Sequence, residues 1–134
     1  MKIINKYINK IEKPWGYEII FTPLGLPYVG KILHINTGKK LSLQYHDKKL
    51  ETQYLLNGKC MRIEDDDSGQ LKETEMKQNN GYTININQRH RLIAISDCEI
   101  LEVSTPEIGN TYRLEDDYGR GTETEATRKE LTNA

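Results

Sequence analysis

The chain has 134 residues, and its 19 Lys and Arg against 20 Asp and Glu leave a formal net charge of −1. That length suits one domain with a core of its own. The even charge offers no basic excess to hold a phosphate backbone, so nucleic acid is excluded as an expected partner.

The start, "MKIINKYINKIEK", is broken by Lys and Asn and holds no continuous apolar stretch of the signal-peptide kind. No run approaches the ~20 apolar residues of a membrane span. A soluble cytoplasmic protein with no membrane partner is therefore expected. Ile4, Tyr7, Ile8 and Ile11 sit at helical spacing, so a short amphipathic helix over residues 3–11 competes with a strand there. Pro14 interrupts, and "WGYEIIF" is the first secure strand by its β-branched and aromatic content. "TPLGLP" is a loop.

From there strands alternate with turns for about 80 residues. The strands are "YVGKILHI", "LSLQYH", "LETQYLL", "CMRIE", "LKETEM", "YTINI", "RLIAI" and "CEILEVS". "NGK" between the third and fourth of these carries the Asn-Gly signature of a tight hairpin. "EDDD" at 64–67 lacks the spaced ligands of a calcium loop and reads as a solvated hairpin tip. Many short strands with regular turns and no long helix predict an all-β sandwich or barrel. Cys60 and Cys98 read as free buried thiols in a reducing compartment. "YRLEDDYGR" is polar but carries two tyrosines and is expected to pack back on the body. Residues 121–134, "GTETEATRKELTNA", have almost no large apolar side chain and read as a flexible polar tail, or a short helix with nothing to bury.

One strand carries chemistry. Residues two apart share a strand face, so in "LSLQYH" Leu41, Leu43 and Tyr45 point one way and Ser42, Gln44 and His46 the other. Glu51 follows five residues later. If the polar face lines a barrel interior, each of these groups must be hydrogen-bonded or bound to something. A divalent cation would satisfy imidazole, carboxylate and amide oxygen together. A solvated strand face with Glu51 offsetting Lys48 or Lys49 is the competing reading. His90, which opens the strand "HRLIAI" after the turn "NINQR", is the candidate to converge from a neighbouring strand. His34 has apolar alternation partners, which points to packing or exposure.

The stretch "GKKLSLQYHDKKLETQYLLNG" resembles the first cupin motif: Gly, five residues, His-x-His, a short gap, Glu, six residues, Gly. Gly38 begins it, Gln44 takes the place of the first histidine, His46 is the second, Glu51 is the glutamate and Gly58 ends it. "NNGYTININQRH" is similar in spacing to the second motif, Gly, five residues, Pro-x-Gly, two residues, His, with Asn79, Asn85 and Asn87 replacing both glycines and the proline before His90. Asn tolerates the left-handed turn conformation better than most residues. "EKPWGYE" and "EILEVSTPEIGNTYRLEDDYGR" are similar to the entry and end of the C-terminal cupin domain of type II mannose-6-phosphate isomerases. Gln-x-His is also the variant seen in such isomerases. The resemblance covers roughly residues 12–120.

That resemblance implies a single-domain double-stranded β-helix (jelly-roll) barrel over residues 1–120, with an N-terminal extension and a C-terminal signature segment. It implies that Gln44, His46, Glu51 and His90 hold one divalent metal, Zn²⁺ first, with Mn²⁺, Fe²⁺ or Ni²⁺ as alternatives. It implies an aldose–ketose isomerase of mannose-6-phosphate type, acting on a small sugar phosphate. Such chemistry needs a Lewis acid, a proton carrier and cations for the phosphate. Arg120 is the first candidate for substrate contact, then Arg113, with Lys31 as a further basic position. Arg91 follows the metal histidine and should point away. Ser42 and Tyr54 are candidates to line the pocket, and Trp15 to pack the barrel end. The alternatives are a non-catalytic sugar- or metabolite-binding cupin and a small Fe²⁺ oxygenase of the same fold. A homodimer is expected, because small barrels hide exposed edge strands by pairing.

Overall fold

The computed structural model describes residues 9–127. Eleven strands appear in chain order: β1 Asn9–Lys13, β2 Gly16–Ile20, β3 Val29–Ile35, β4 Leu43–His46, β5 Glu51–Asn57, β6 Cys60–Asp65, β7 Leu71–Glu75, β8 Gly81–Ile84, β9 His90–Ala94, β10 Cys98–Ser104 and β11 Thr111–Glu115. They form a six-stranded sheet ordered β1-β2-β3-β10-β5-β8 and a five-stranded sheet ordered β11-β4-β9-β6-β7. Every pairing is antiparallel. The predicted all-β architecture is what the chain forms, as two antiparallel sheets.

The strands form here because their alternation suits two facing sheets. On β10, Cys98, Ile100, Glu102 and Ser104 are buried, while the residues between them are not. Cross-strand register stacks these inward positions in layers. Ile100 faces Leu33 and Leu55, and Glu102 faces Lys31 and Gln53. The apolar layers merge into a core of Trp15, Leu33, Ile35, Leu55, Cys60, Met76, Leu92, Ala94, Cys98 and Ile100. Burying each large side chain contributes about 1.5–3 kcal/mol. Trp15 and the two free cysteines are buried, as their sequence surroundings implied.

The hairpin between β5 and β6 turns at Gly58, whose φ is +83°. A Cβ there would lie 2.2 Å from the Asp97 carbonyl oxygen, so only glycine fits. The tip at 64–67 is a solvated turn in which Asp66 accepts from the backbone N–H groups of Ser68 and Gln70.

Two expectations need correction. Where a helix over 3–11 competed with a strand, Asn9–Lys13 is a strand paired with β2, because that edge still had open backbone groups. The rest of that segment lies outside the described residues. The tail expected from residue 121 is not loose over 121–127: Thr111 and Glu123 exchange backbone hydrogen bonds of 2.7 and 2.8 Å. Arg113 also donates to the Gly121 carbonyl, and the Gly109 N–H to Glu125. Polar contacts along β11 do the anchoring that apolar side chains were missing for. Residues 128–134 lie outside the described residues. Among the described residues, no helix is long and apolar enough to cross a membrane.

Candidate metal centre

Three of the four expected ligands converge. His46 ends β4, Glu51 begins β5 and His90 begins β9. One ligand atom from each lies within 4.8 Å of the others. β4 and β9 belong to one sheet and β5 to the other, so the cluster bridges the two layers. Gln44 pairs directly with His90 across β4 and β9. All three of His46, Glu51 and His90 are buried.

The hydrogen bonds orient the rings. His90 Nδ1 lies 2.9 Å from the Gln88 carbonyl, which can only accept, so Nδ1 carries the proton. Its Nε2 faces the cluster, 3.1 Å from Glu51 Oε1 and without a hydrogen-bond partner of good geometry. His46 Nδ1 contacts the Thr111 hydroxyl at 2.8 Å, and its Nε2 lies 3.4 Å from the same Glu51 oxygen. Burial lowers the His46 pKa against the opposing pull of Glu51. Burial would raise Glu51, but Lys49 and the two histidines outweigh it and hold the carboxyl well below its usual range.

Two imidazole Nε2 atoms and a carboxylate thus meet in a buried space. A proton satisfies one contact, whereas a divalent cation satisfies all of them, and this mixed N/O set suits Zn²⁺, Mn²⁺, Fe²⁺ or Ni²⁺. The donor set fits a metal. Gln44 currently turns its amide nitrogen toward His46 Nε2 at 3.4 Å, while its oxygen accepts from Ser42 Oγ at 2.6 Å. Ligation through that oxygen needs the amide to turn over. Ser42 could then accept where it now donates.

The second-motif asparagines do the work of glycines. Asn79 and Asn87, at the two glycine positions, are the non-glycine residues with positive φ among the described residues, both at +66°. Asn85, at the proline position, donates its N–H to Gln88 Oε1, a bond proline could not make. Asn87 donates to the His46 carbonyl at 2.7 Å, tying this turn to the ligand strand.

The cluster lies in the wall of a cavity of about 540 Å³. Ser42, Gln44, Lys31, Arg113 and Arg120 line it, as expected. Tyr54 does not: it faces outward and bonds Asn79 at 2.8 Å. Strand alternation from Glu51 places Gln53 inside instead, a signal the sequence already held. Both arginines are engaged by their own segment. Arg120 grips Asp116 through its backbone N–H, Nε and guanidinium, and Arg113 bonds Gly121 and Glu123. Arg91 braces the Leu41 carbonyl and Glu115. His34 stacks on Tyr17, away from the cluster.

Several charged groups that sequence reasoning passed over share the cavity, among them Lys49, Glu102 and Glu107, and Arg91 lines it too rather than pointing away as expected. Glu102 accepts from Gln53 at 3.1 Å. Burial first, then the neighbouring Glu51 charge, pushes its carboxyl up to about 8. Lys49 stays charged despite burial, because Glu51, Glu102 and Glu107 surround it. Lys49 followed a turn in the sequence and looked like a solvated residue, so nothing local marked it.

No protein-family sequence profile and no curated protein sequence matches this chain. Solved structures do match in shape. Oxalate decarboxylase from Bacillus subtilis at pH 4.6 superposes with a TM-score of 0.66 at 17% identity, over 82% of this chain and 30% of the enzyme. The Lactobacillus farciminis oxalate decarboxylase–formate complex superposes with a TM-score of 0.68 at 19% identity, over 80% and 34%. A further Bacillus subtilis structure, of an enzyme with Mn(II) centres, gives a TM-score of 0.66 at 15% identity over 80% and 30%. The chain therefore spans about a third of the length of these enzymes. The likeness establishes the cupin fold, and none of these structures is an isomerase.

Proposed function

We propose that this protein is a divalent-metal enzyme that interconverts aldose and ketose forms of a small sugar phosphate. The observation that carries the reading is the convergence of His46, Glu51 and His90, with Gln44 beside them, in the wall of a cavity that also holds lysines and a buried carboxyl. Gln44, His46, Glu51 and His90 would hold the ion. When bound, it supplies Lewis acidity to a sugar carbonyl and steadies the negative charge that develops on its oxygen. The choice among metals follows the donor set, with Zn²⁺ first. The Mn(II) centres of the Bacillus subtilis enzyme add weight to Mn²⁺.

The chain's own residues supply the rest. Moving a proton between adjacent carbons needs a carboxyl in the cavity that can both give and accept it. Glu102 is buried there, accepts from Gln53, shares a side-chain hydrogen bond with Glu51, and is the proposed carrier. Lys31 is the cation we assign to the substrate. Arg113 and Arg120 take a positioning role, holding the signature segment against the cavity.

The test is metal analysis followed by an isomerase assay over hexose and pentose phosphates, with Zn²⁺ or Mn²⁺ present. Turnover on one sugar phosphate, lost in His46→Ala, is expected. A metal-loaded protein inert on every sugar phosphate but binding one tightly would replace the enzyme with a non-catalytic binding cupin. Oxalate consumption would move it toward its structural neighbours, and oxygen uptake with Fe²⁺ toward an oxygenase. Copies of the chain are proposed to pair through exposed sheet edges such as β7, which is solvated along its whole length. A monomeric elution volume in gel filtration at working concentration would end that idea.

A further inference from the structure

Two buried lysines share one carboxylate oxygen in the cavity. Lys49 Nζ donates to Glu107 Oε1 at 2.9 Å, and Lys31 Nζ donates to the same oxygen at 3.3 Å. The lysines are only 5% and 8% exposed, whereas the Glu107 side chain is 35% exposed. They arrive from different places: Lys31 on β3, Lys49 in the turn between β4 and β5, and Glu107 in the loop between β10 and β11. Lys49 Nζ also lies 3.5 Å from Glu51 Oε2, so the ammonium pair adjoins the ligand cluster.

Stability alone does not explain this arrangement. Removing two ammonium groups from water is costly, and apolar residues of similar volume would stabilise the wall at least as well. The one acid that both lysines share comes from a loop, while Glu51 pairs with Lys49 and Glu18 with Lys31 from the barrel strands. That loop is pinned at its ends, where the Thr105 N–H donates to Leu50 and the Asn110 N–H to Asp47. Between the pins, Glu107 reaches inward from a partly solvated position. Charge points the same way. An anionic ligand group that takes the place of the Glu107 carboxylate leaves both ammonium groups paired, so the exchange strands no buried charge. The arginines first expected to hold an anion are occupied by Asp116 and Glu123.

We propose that Lys31 and Lys49 form the oxyanion subsite of the cavity, and that Glu107 is a resident carboxylate which the anionic group of the ligand displaces. The ligand class is a small molecule carrying a phosphate monoester or a carboxylate, with its body extending toward the His46–Glu51–His90 cluster. This deepens the metal-enzyme reading by assigning the group that anchors the substrate. Its test, however, does not depend on turnover. Glu107 acts as a competitor in cis, so apparent affinity falls by the fraction of time it occupies the subsite.

The experiment is calorimetric titration of inorganic phosphate, and separately of oxalate, into wild type, Glu107→Gln and Glu107→Ala, as purified and after chelation of metal. Both variants should bind at least about tenfold tighter than wild type with or without metal. Preference for phosphate assigns a phosphate ester, and preference for oxalate a carboxylate. Adding Lys31→Gln to Glu107→Gln should return the affinity to the wild-type value or below. If that double variant does not fold, lysine-selective ¹³C NMR of Glu107→Gln tests the same contact: phosphate should shift the Lys31 and Lys49 signals and leave surface lysines unmoved. Equal affinities in wild type and both Glu107 variants, or shifts only at surface lysines, overturn the subsite. Tighter binding without turnover on any sugar phosphate overturns the isomerase and keeps the subsite, whereas turnover without tighter binding does the reverse.

Discussion

The two ends of the barrel interior are built from the same strands and follow opposite rules. Along β3 the inward positions run Lys31, Leu33, Ile35; along β10 they run Glu102, Ile100, Cys98; along β5 they run Gln53 to Leu55; and along β9 they run His90, Leu92, Ala94. One end is an apolar core in which Ile35, Leu55 and Ile100 are almost fully buried. The other buries His46, Glu51, Glu102, Lys31 and Lys49 at comparable depth. Apolar burial stabilises the fold directly, whereas burial of those charges is at best neutral for stability. The polar end is therefore held in place by the apolar end. It has the character of a site whose residues are kept for what they bind.

The comparison can be broken first at the polar end. His46→Ala should bring metal content close to zero and abolish turnover while leaving the fold intact, since the apolar layers are untouched. Metal analysis and circular dichroism check this, and undiminished metal content would refute the cluster. At the apolar end, Leu55→Ala should cost about 2–5 kcal/mol of stability in denaturant unfolding. The fraction that remains folded should keep full metal stoichiometry. If Leu55→Ala instead strips metal from the folded protein, the two ends are not separable.

Glu102→Gln sharpens the contrast further. Turnover should fall by about a hundredfold or more, because the proposed proton carrier is gone. In metal-free protein the same change should alter the stability profile. The Glu102 carboxyl is raised to about 8, so between its ordinary value near 4 and about 8 the native state holds a proton the unfolded state has released. Wild-type stability should therefore fall as pH rises through that window, and Glu102→Gln should flatten the fall. A profile unchanged by the substitution would show that Glu102 is not the group responsible.

The smallest effect is expected at Asp116, in the segment that closes the cavity. Burial opposes its charge, but hydrogen bonds from Arg120 outweigh this and hold the carboxyl below its usual value. A depressed carboxylate stabilises the fold above its unfolded pKa and loses that contribution as pH falls through the folded one. Asp116→Asn should thus lower stability slightly at neutral pH and make unfolding below about pH 4 less steep. Urea midpoints from neutral pH down through that acid limb would show it, and an unaltered limb would mean the pair contributes nothing.

Much of this architecture could be read before folding, and the reason is periodicity. The strands β2 to β10 were visible because apolar and polar positions alternate every second residue, and several turns because Gly or Asn sits where φ must be positive, whereas β1 competed with a helix and β11 was not read as a strand. Even the asparagines at 79 and 87, which break the cupin pattern in letter, keep it in conformation. Gln44, His46, Glu51 and His90 could be assembled because the motif spacing bridges strands that a single-strand pattern cannot connect. Arg113 and Arg120 reached the cavity wall as anticipated, but their charges are taken up by neighbours four to ten residues away.

What the sequence by itself determined is most of the strands and their inward faces, which follow from alternation, while the cupin resemblance supplied the ligand set of which His46, Glu51 and His90 converge. Only the tertiary structure decided which charges share the cavity with them. Lys49, Glu102 and Glu107 lie in three separate segments; alternation along β10 marks Glu102 as inward, but nothing local distinguishes Lys49 and Glu107 from the many solvated lysines and glutamates of this chain. Closing two sheets face to face removes water from Lys49 and Glu102, and the loop brings a partly solvated Glu107 against them. Their meaning comes from that convergence, which no linear pattern encodes.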